Sequence, residues 1–80
     1  MHYVYVLYSE KFNKHYTGRS EDISDRFLSH NEKATKGFTK RYRPWKIILV
    51  EEYTTVQEAG KREKWLKSGV GRDYIKTLPH

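Results

Sequence analysis

The chain has no cysteine, which excludes disulfides and thiolate metal centres and suits a reducing compartment such as the cytoplasm. Long hydrophobic runs are missing too. No segment approaches the roughly 20 apolar residues that cross a bilayer, and nothing at the N-terminus reads as a secretory signal. Prolines number 2 and glycines 5, with no low-complexity or linker-like stretch. Acidic residues are in the minority: 10 Asp and Glu against 16 Lys and Arg leave a formal charge of +6. That surplus favours a polyanionic partner. A chain of 80 residues is expected to form a single domain over 1–80, with one core and no internal repeat.

What is present begins with aromatics. Tyr3 to Tyr8 (YVYVLY) is aromatic and β-branched without a breaker, and predicts a strand covered on both faces. Residues 9–14 are turn-like, and His15-Tyr16-Thr17 returns as a second strand that Gly18 ends. Ser20 or Asp22 is positioned to cap a helix through about Lys33. Arg43-Pro44 leads by an extended approach into a third strand, residues 46–53 (KIILVEEY). Thr55 and Glu58 make a capping box for a second helix, which is expected to run to about Ser68 and stop at Gly69. Residues 71–78 add a short C-terminal helix. The expected fold is α+β: a three-stranded β-sheet flanked by helices in β-β-α-β-α order. Its core would take Val4, Val6, Ile23, Phe27, Ile48, Val50, Ala59, Leu66 and Trp65.

Two polar residues interrupt the apolar stripes. On the second helix, Val56, Ala59, Gly60, Leu66 and Val70 share one arc at 100° per residue, and Glu63 stands in its middle. A carboxylate there is costly to bury unless a positive group meets it. On the first helix, Arg26 and His30 lie beside the stripe of Ile23, Phe27 and Ala34. Either Arg26 and Glu63 form a bridge between helices, or both stand at the rim of a cleft with Glu63 on a divalent cation. A third feature is the stretch containing Lys33, Lys36, Lys40, Arg41, Arg43 and Lys46, which has no acid and is interleaved with Phe38, Tyr42 and Trp45. Its cations suit phosphates and its rings suit stacking on bases; the alternative is a solvated loop whose rings cover the core.

Taken in order, these segments resemble the GIY-YIG nuclease superfamily, particularly its small stand-alone bacterial members, and are similar to the N-terminal catalytic domain of the bacterial excision-repair endonuclease. Tyr3-Val4-Tyr5 stands at the first motif without its leading glycine, and Tyr16-Thr17-Gly18 at the second with threonine in the middle. Arg19 follows as the basic residue after that glycine. Asp22 to Phe27 matches the segment with the family's arginine, Arg26, and His30-Asn31 the polar pair behind it. Glu58 to Lys64 carries the matching glutamate, Glu63.

The resemblance implies metal-dependent hydrolysis of DNA phosphodiesters, with Mg²⁺ or Mn²⁺ on Glu63. A hard cation of this kind keeps most of its waters, so one carboxylate suffices. Arg26 would stabilise charge on the phosphoryl oxygens. Tyr5 is the preferred general base, with Tyr16 beside it as orienting group or alternative. Tyrosine, with a pKa of about 10, needs nearby positive charge such as Arg19 and Arg26 to ionise near neutrality. His30 could orient the water or take the proton. Tyr5, Tyr16, Arg26 and Glu63 are expected to open on one concave surface, while Lys36, Lys40, Arg41 and Arg43 bind the nucleic-acid backbone. No element is left over to read bases in a duplex groove, so the expected substrate is single-stranded or branched DNA, cut by a monomer. The alternative is a non-catalytic nucleic-acid-binding module that uses residues 33–46 alone, or a structural domain in which Arg26 and Glu63 are merely paired.

Overall fold

The apolar N-terminal run forms the middle of the sheet in a computed structural model that describes residues 1–23 and 41–80. Strand β1 (His2–Ser9) lies between β2 (Lys14–Ser20) and β3 (Lys46–Tyr53), antiparallel to both. A central strand is covered on both faces, and Val4, Tyr5, Val6 and Leu7 are each no more than 2% exposed. Burying each aliphatic side chain contributes about 1.5–3 kcal/mol. The β1–β2 turn places Asn13 at φ 52°, a left-handed conformation that asparagine tolerates better than most residues. Tyr8 Oη donates to the Asn13 side chain at 3.0 Å and holds the turn against the strand.

Helix α1 (Val56–Leu66) begins at the expected cap. Thr55 Oγ1 accepts from the Glu58 backbone N–H at 3.2 Å and donates to the Glu58 carboxylate at 3.0 Å. The expected end at Gly69 is corrected. Helix α1 closes at Leu66 with Lys67 as its C-cap, and Ser68 caps a further helix, α2 (Gly69–Lys76), by accepting from Gly71 N–H at 3.2 Å. A serine that can cap restarts the helix before glycine can terminate the previous one. Gly71 is the glycine the fold requires, because a Cβ there would run into the Trp65 carbonyl and fall 2.5 Å from Leu66 Cα.

Alternation along β1 divides the interior. Val4 and Val6 face the helices and pack with Ala59, Leu66 and Ile75, with Ile48 and Leu49 beside them. Tyr5 and Leu7 face the other way and pack with Trp45, Tyr16, Ile23 and Tyr42. The described elements run β-β-β-α-α, an α+β fold. The predicted first helix falls almost wholly outside the described residues, as do Phe27 and Ala34. Two of the expected core residues are corrected, since Val50 is 44% and Trp65 37% exposed, while Ile23 packs on the tyrosine side of the core. Trp65 lies along the helix flank against Tyr74 and the Arg62 guanidinium, where ring faces pack without full burial. Val56 and Val70, placed on the inward arc by periodicity, are exposed: Val56 opens the first turn of α1, and Val70 belongs to α2, where the arc of α1 no longer continues.

Candidate active site

Edge strand β2 brings the site together. Tyr5 pairs with Gly18, Leu7 with Tyr16 and Val4 with Arg19. Side chains of a strand alternate between faces, so Tyr16 and Gly18 share Tyr5's face while Thr17 and Arg19 share the helix face. The Tyr5 ring lies over Gly18, where an added Cβ would come within 2.6 Å of the phenol oxygen. The Tyr16 ring is 6.4 Å from that of Tyr5 and 6.3 Å from that of Trp45. The missing side chain at Gly18 therefore lets one phenol reach across to the edge strand, and Trp45 braces the second. Tyr5 is buried and Tyr16 half-buried. Tyr3 pairs opposite Glu52, and the carboxylate's charge pushes its phenol pKa up, the reverse of what a general base requires.

On the helix face, neighbouring residues of α1 point to opposite edges of the sheet. Arg62 reaches β3, donating from two nitrogens to Glu51 at 2.8 and 3.1 Å. Its guanidinium stacks on Trp65 and Tyr74 with centroid distances of 4.6 and 5.3 Å. Hydrogen bonding to Glu51 raises the Arg62 pKa, and burial with a hydrogen bond to Glu51 raises that of Tyr53. Glu63 reaches β2, where Arg19 Nε donates to Oε1 at 2.9 Å and Lys67 Nζ to Oε2 at 3.0 Å. Arg19 crosses the helix at Gly60, passing 3.8 Å from the position a Cβ would take. The Glu63 side chain is 18% exposed, whereas those of Arg19 and Lys67 are 43% and 56% exposed.

The expectation of one concave surface shared by Tyr5 and Glu63 is corrected for the described residues. Helix α1 buries Ala59 and Leu66 against Val4 and Val6, so its carboxylate lies on the face opposite the tyrosine side chains. The two halves meet at β2, where Gly18 and Arg19 are adjacent. Arg26, His30, Lys36 and Lys40 lie outside the described residues, as does the expected Arg26–Glu63 bridge; the described partners of Glu63 are Arg19 and Lys67. Of the expected backbone-binding cations, Arg41 is exposed and sits 5.5 Å from the Tyr42 ring centre, and Arg43 is half-buried. Trp45 is 3% exposed and packs in the interior, so it is not open to a stacking base. Sequence reasoning missed Lys67, although its position four residues after Glu63 was a readable signal.

Among the described residues no cluster of three or more histidines and carboxylates could cage a metal. A single carboxylate matches a cation that retains most of its water, as Mg²⁺ does. Among the described residues each Glu63 oxygen accepts one hydrogen bond, and a carboxylate oxygen has capacity for another contact.

The GIY-YIG catalytic domain model matches residues 1–74. The chain belongs to the GIY-YIG family. It is 32% identical to a UPF0213 protein of Staphylococcus epidermidis over 77 residues, covering 96% of this chain and 93% of that one. A UPF0213 protein of Staphylococcus saprophyticus is 36% identical over 77 residues, with the same coverage of 96% and 93%. The solution NMR structure of a UPF0213 protein from Bacillus halodurans superposes with a TM-score of 0.57 at 23% identity, covering 95% of this chain and 82% of that one, and shares the fold. Membership of GIY-YIG places the chain in a nuclease family, and the two motif tyrosines, Tyr5 and Tyr16, are those that pack together on one face.

Proposed function

We propose that this chain, as one domain over 1–80, is an endonuclease that hydrolyses DNA phosphodiesters with Mg²⁺ or Mn²⁺. The observation that carries the reading is the Glu63 carboxylate, held at the edge strand by Arg19 and Lys67 beside the strand that bears Tyr16 and Gly18. Glu63 would hold the divalent cation. Such an ion, when bound, neutralises charge building on the scissile phosphate and the leaving oxygen.

The chain's own groups supply the rest. Arg19 orients the carboxylate from one side and, being partly exposed, presents the remaining guanidinium N–H groups to a phosphate. By the family resemblance the proton of the attacking water goes to Tyr5 or Tyr16, whose rings both reach Gly18 on the edge strand, where the tyrosine face meets the Arg19–Glu63 pair. Tyr5, buried against Gly18, fixes the edge strand and the ring beside it. Arg26 and His30 keep the roles the family resemblance implies, transition-state charge stabilisation and proton handling. The substrate is single-stranded or branched DNA rather than uniform duplex. Reading base edges requires an element free to enter a groove, and α1 is tied to both edges of the sheet through Arg62 and Glu63.

A second reading has an observation of its own: both oxygens of Glu63 are occupied by cationic side chains, as in a purely structural pair. A cleavage assay decides between the two. Purified protein is incubated with single-stranded, duplex and flapped DNA of one sequence, with Mg²⁺, with Mn²⁺ and with chelator. Metal-dependent cutting that Glu63→Gln abolishes supports the nuclease. Binding without cutting in any metal, by parent and variant alike, assigns the chain to the non-catalytic module.

A further inference from the structure

A groove runs beside the site on the helix side of β2. Its volume is about 450 Å³, its floor is Leu66 and Ile75, and its walls are His15 on the strand and Lys67, Arg72 and Lys76 on the helices. Among the described residues no carboxylate lines it. Lys67 closes one end, and the same ammonium touches Glu63, which lines a neighbouring hollow that Lys67 also borders. At the other end it continues into a hollow of about 470 Å³ that shares His15 and Lys76 and is bordered by Tyr8 and Asn13.

Charge and chemistry limit what fits. Arg72 has no carboxylate partner among the described residues, and Lys76 meets only the exposed Asp73, at 3.9 Å. A guanidinium with no carboxylate partner among the described residues and a loosely held ammonium in one groove are suited to a ligand with repeated anionic groups. Burial, with smaller contributions from His80 and Lys76, holds the His15 pKa below the ordinary histidine value. An added peptide strand could also use the outer edge of β2, but a peptide offers no general match to three cations.

We propose that this groove is a second nucleic-acid contact, made by residues other than 33–46, which carries a single strand along β2 with its phosphates on Lys67, Arg72 and Lys76 and leads it past Lys67 towards Glu63. The ligand follows from the nuclease reading, whereas the groove's role in binding is separately measurable. A single strand fits where a duplex does not, because one flexible backbone can follow the three cations along the groove, whose bottom is closed by the buried Leu66 and Ile75.

The experiment measures fluorescence anisotropy of a labelled oligothymidylate with the full chain in chelator, so that binding is read without cutting. Arg72→Gln with Lys76→Gln removes two phosphate contacts. It is expected to weaken binding about tenfold and to lower the slope of log affinity against log salt by about 1.4, at roughly 0.7 per contact for single strands. Lys11→Gln with Lys61→Gln makes the same change in net charge at exposed positions outside the groove, and should leave the slope near that of the parent. If the groove pair binds like the parent, or both pairs lower the slope equally, the groove is not the track. Cleavage with Mg²⁺ is scored separately. Failure to cut with the groove dependence intact overturns the nuclease and leaves the binding surface standing, whereas cutting without groove dependence overturns only this inference.

Discussion

Helix α1 is tied to the sheet by two ion pairs made from adjacent residues, and the pairs differ in kind. Arg62 and Glu51 form a two-nitrogen fork at 2.8 and 3.1 Å, with the guanidinium packed on two rings and the carboxylate also accepting from Tyr53 Oη at 3.0 Å. Both members of that pair are largely buried, and each is held by further contacts inside the protein. Glu63 instead receives one contact from each of two partners whose side chains are largely solvated. The first arrangement fixes the helix to β3. The second keeps a carboxylate oriented at the β2 edge while leaving it able to exchange a side-chain cation for a metal. Similar chemistry therefore serves stability at one edge and is available for catalysis at the other.

The sharpest way to break this comparison is to neutralise each pair in turn. Glu63→Gln should lower the rate of DNA cleavage on the order of 100-fold or more while changing the melting temperature little, since the amide still accepts from Arg19. Single-turnover cleavage beside a thermal melt checks both halves. A variant as active as the parent would sink the metal-bearing role of Glu63. Chelation should abolish parental activity to a similar degree.

Gly18→Ala tests whether the two faces of the edge strand act together. The added methyl would displace the Tyr5 phenol from 2.6 Å, and a misplacement of about 1 Å in a catalytic constellation costs on the order of 100-fold. A tenfold to hundredfold loss of rate is expected, with oligonucleotide binding in chelator retained. Unchanged kinetics would show that the tyrosine face tolerates movement and contributes little to the reaction.

Arg62→Ala should do the converse. Losing a partly buried charged fork and its stacking on Trp65 costs about 1–2 kcal/mol of stability, measurable by urea titration. The rate per folded molecule should stay close to parental at a temperature where the variant is folded. A catalytic defect larger than the folding defect would mean that α1 transmits movement from the β3 edge to Glu63.

The smallest effect concerns pH at the β2 edge. The folded-state pKa of His15 lies below its unfolded value of about 6.5, so the unfolded chain takes up the proton first. This contribution to stability is complete above the unfolded pKa and is lost as pH falls through it towards the folded value. Denaturation curves between about pH 7 and 5.5 should show a decline that His15→Asn reduces. A pH dependence identical in the variant would assign that decline to other groups.

The sequence was most informative where one residue type has one local solution. The run from Tyr3 to Tyr8 could only be a doubly covered strand, and Thr55 with Glu58 formed the cap their spacing implied. The order of the motifs identified the nuclease family. Ends and partners were harder to read. Gly69 looked like a terminator, but Ser68 reopened a helix, and the glycine that mattered was Gly71, whose requirement arises from the close approach of a second helix. Trp45 read as part of a cationic loop because its neighbours in sequence are charged; its burial depends on Tyr5 and Leu7, which come from the other end of the chain.

The sequence by itself determined the presence and order of three strands, though not that β2 runs through Gly18 to Ser20, together with the cap of α1, the positive charge and the family, because each depends on residues close together in the chain or on their order. Tertiary structure alone decided which face each functional residue occupies. Alternation along β1 sends Val4 to the helices and Tyr5 away from them, and the way α1 lies across the sheet sends Arg62 to β3 and Glu63 to β2. Local patterns specify that a residue is inward or outward on its own element. They do not specify which of two faces of a shared sheet receives that element, because the choice rests on packing between segments some fifty residues apart, Val4 and Val6 against Ala59 and Leu66.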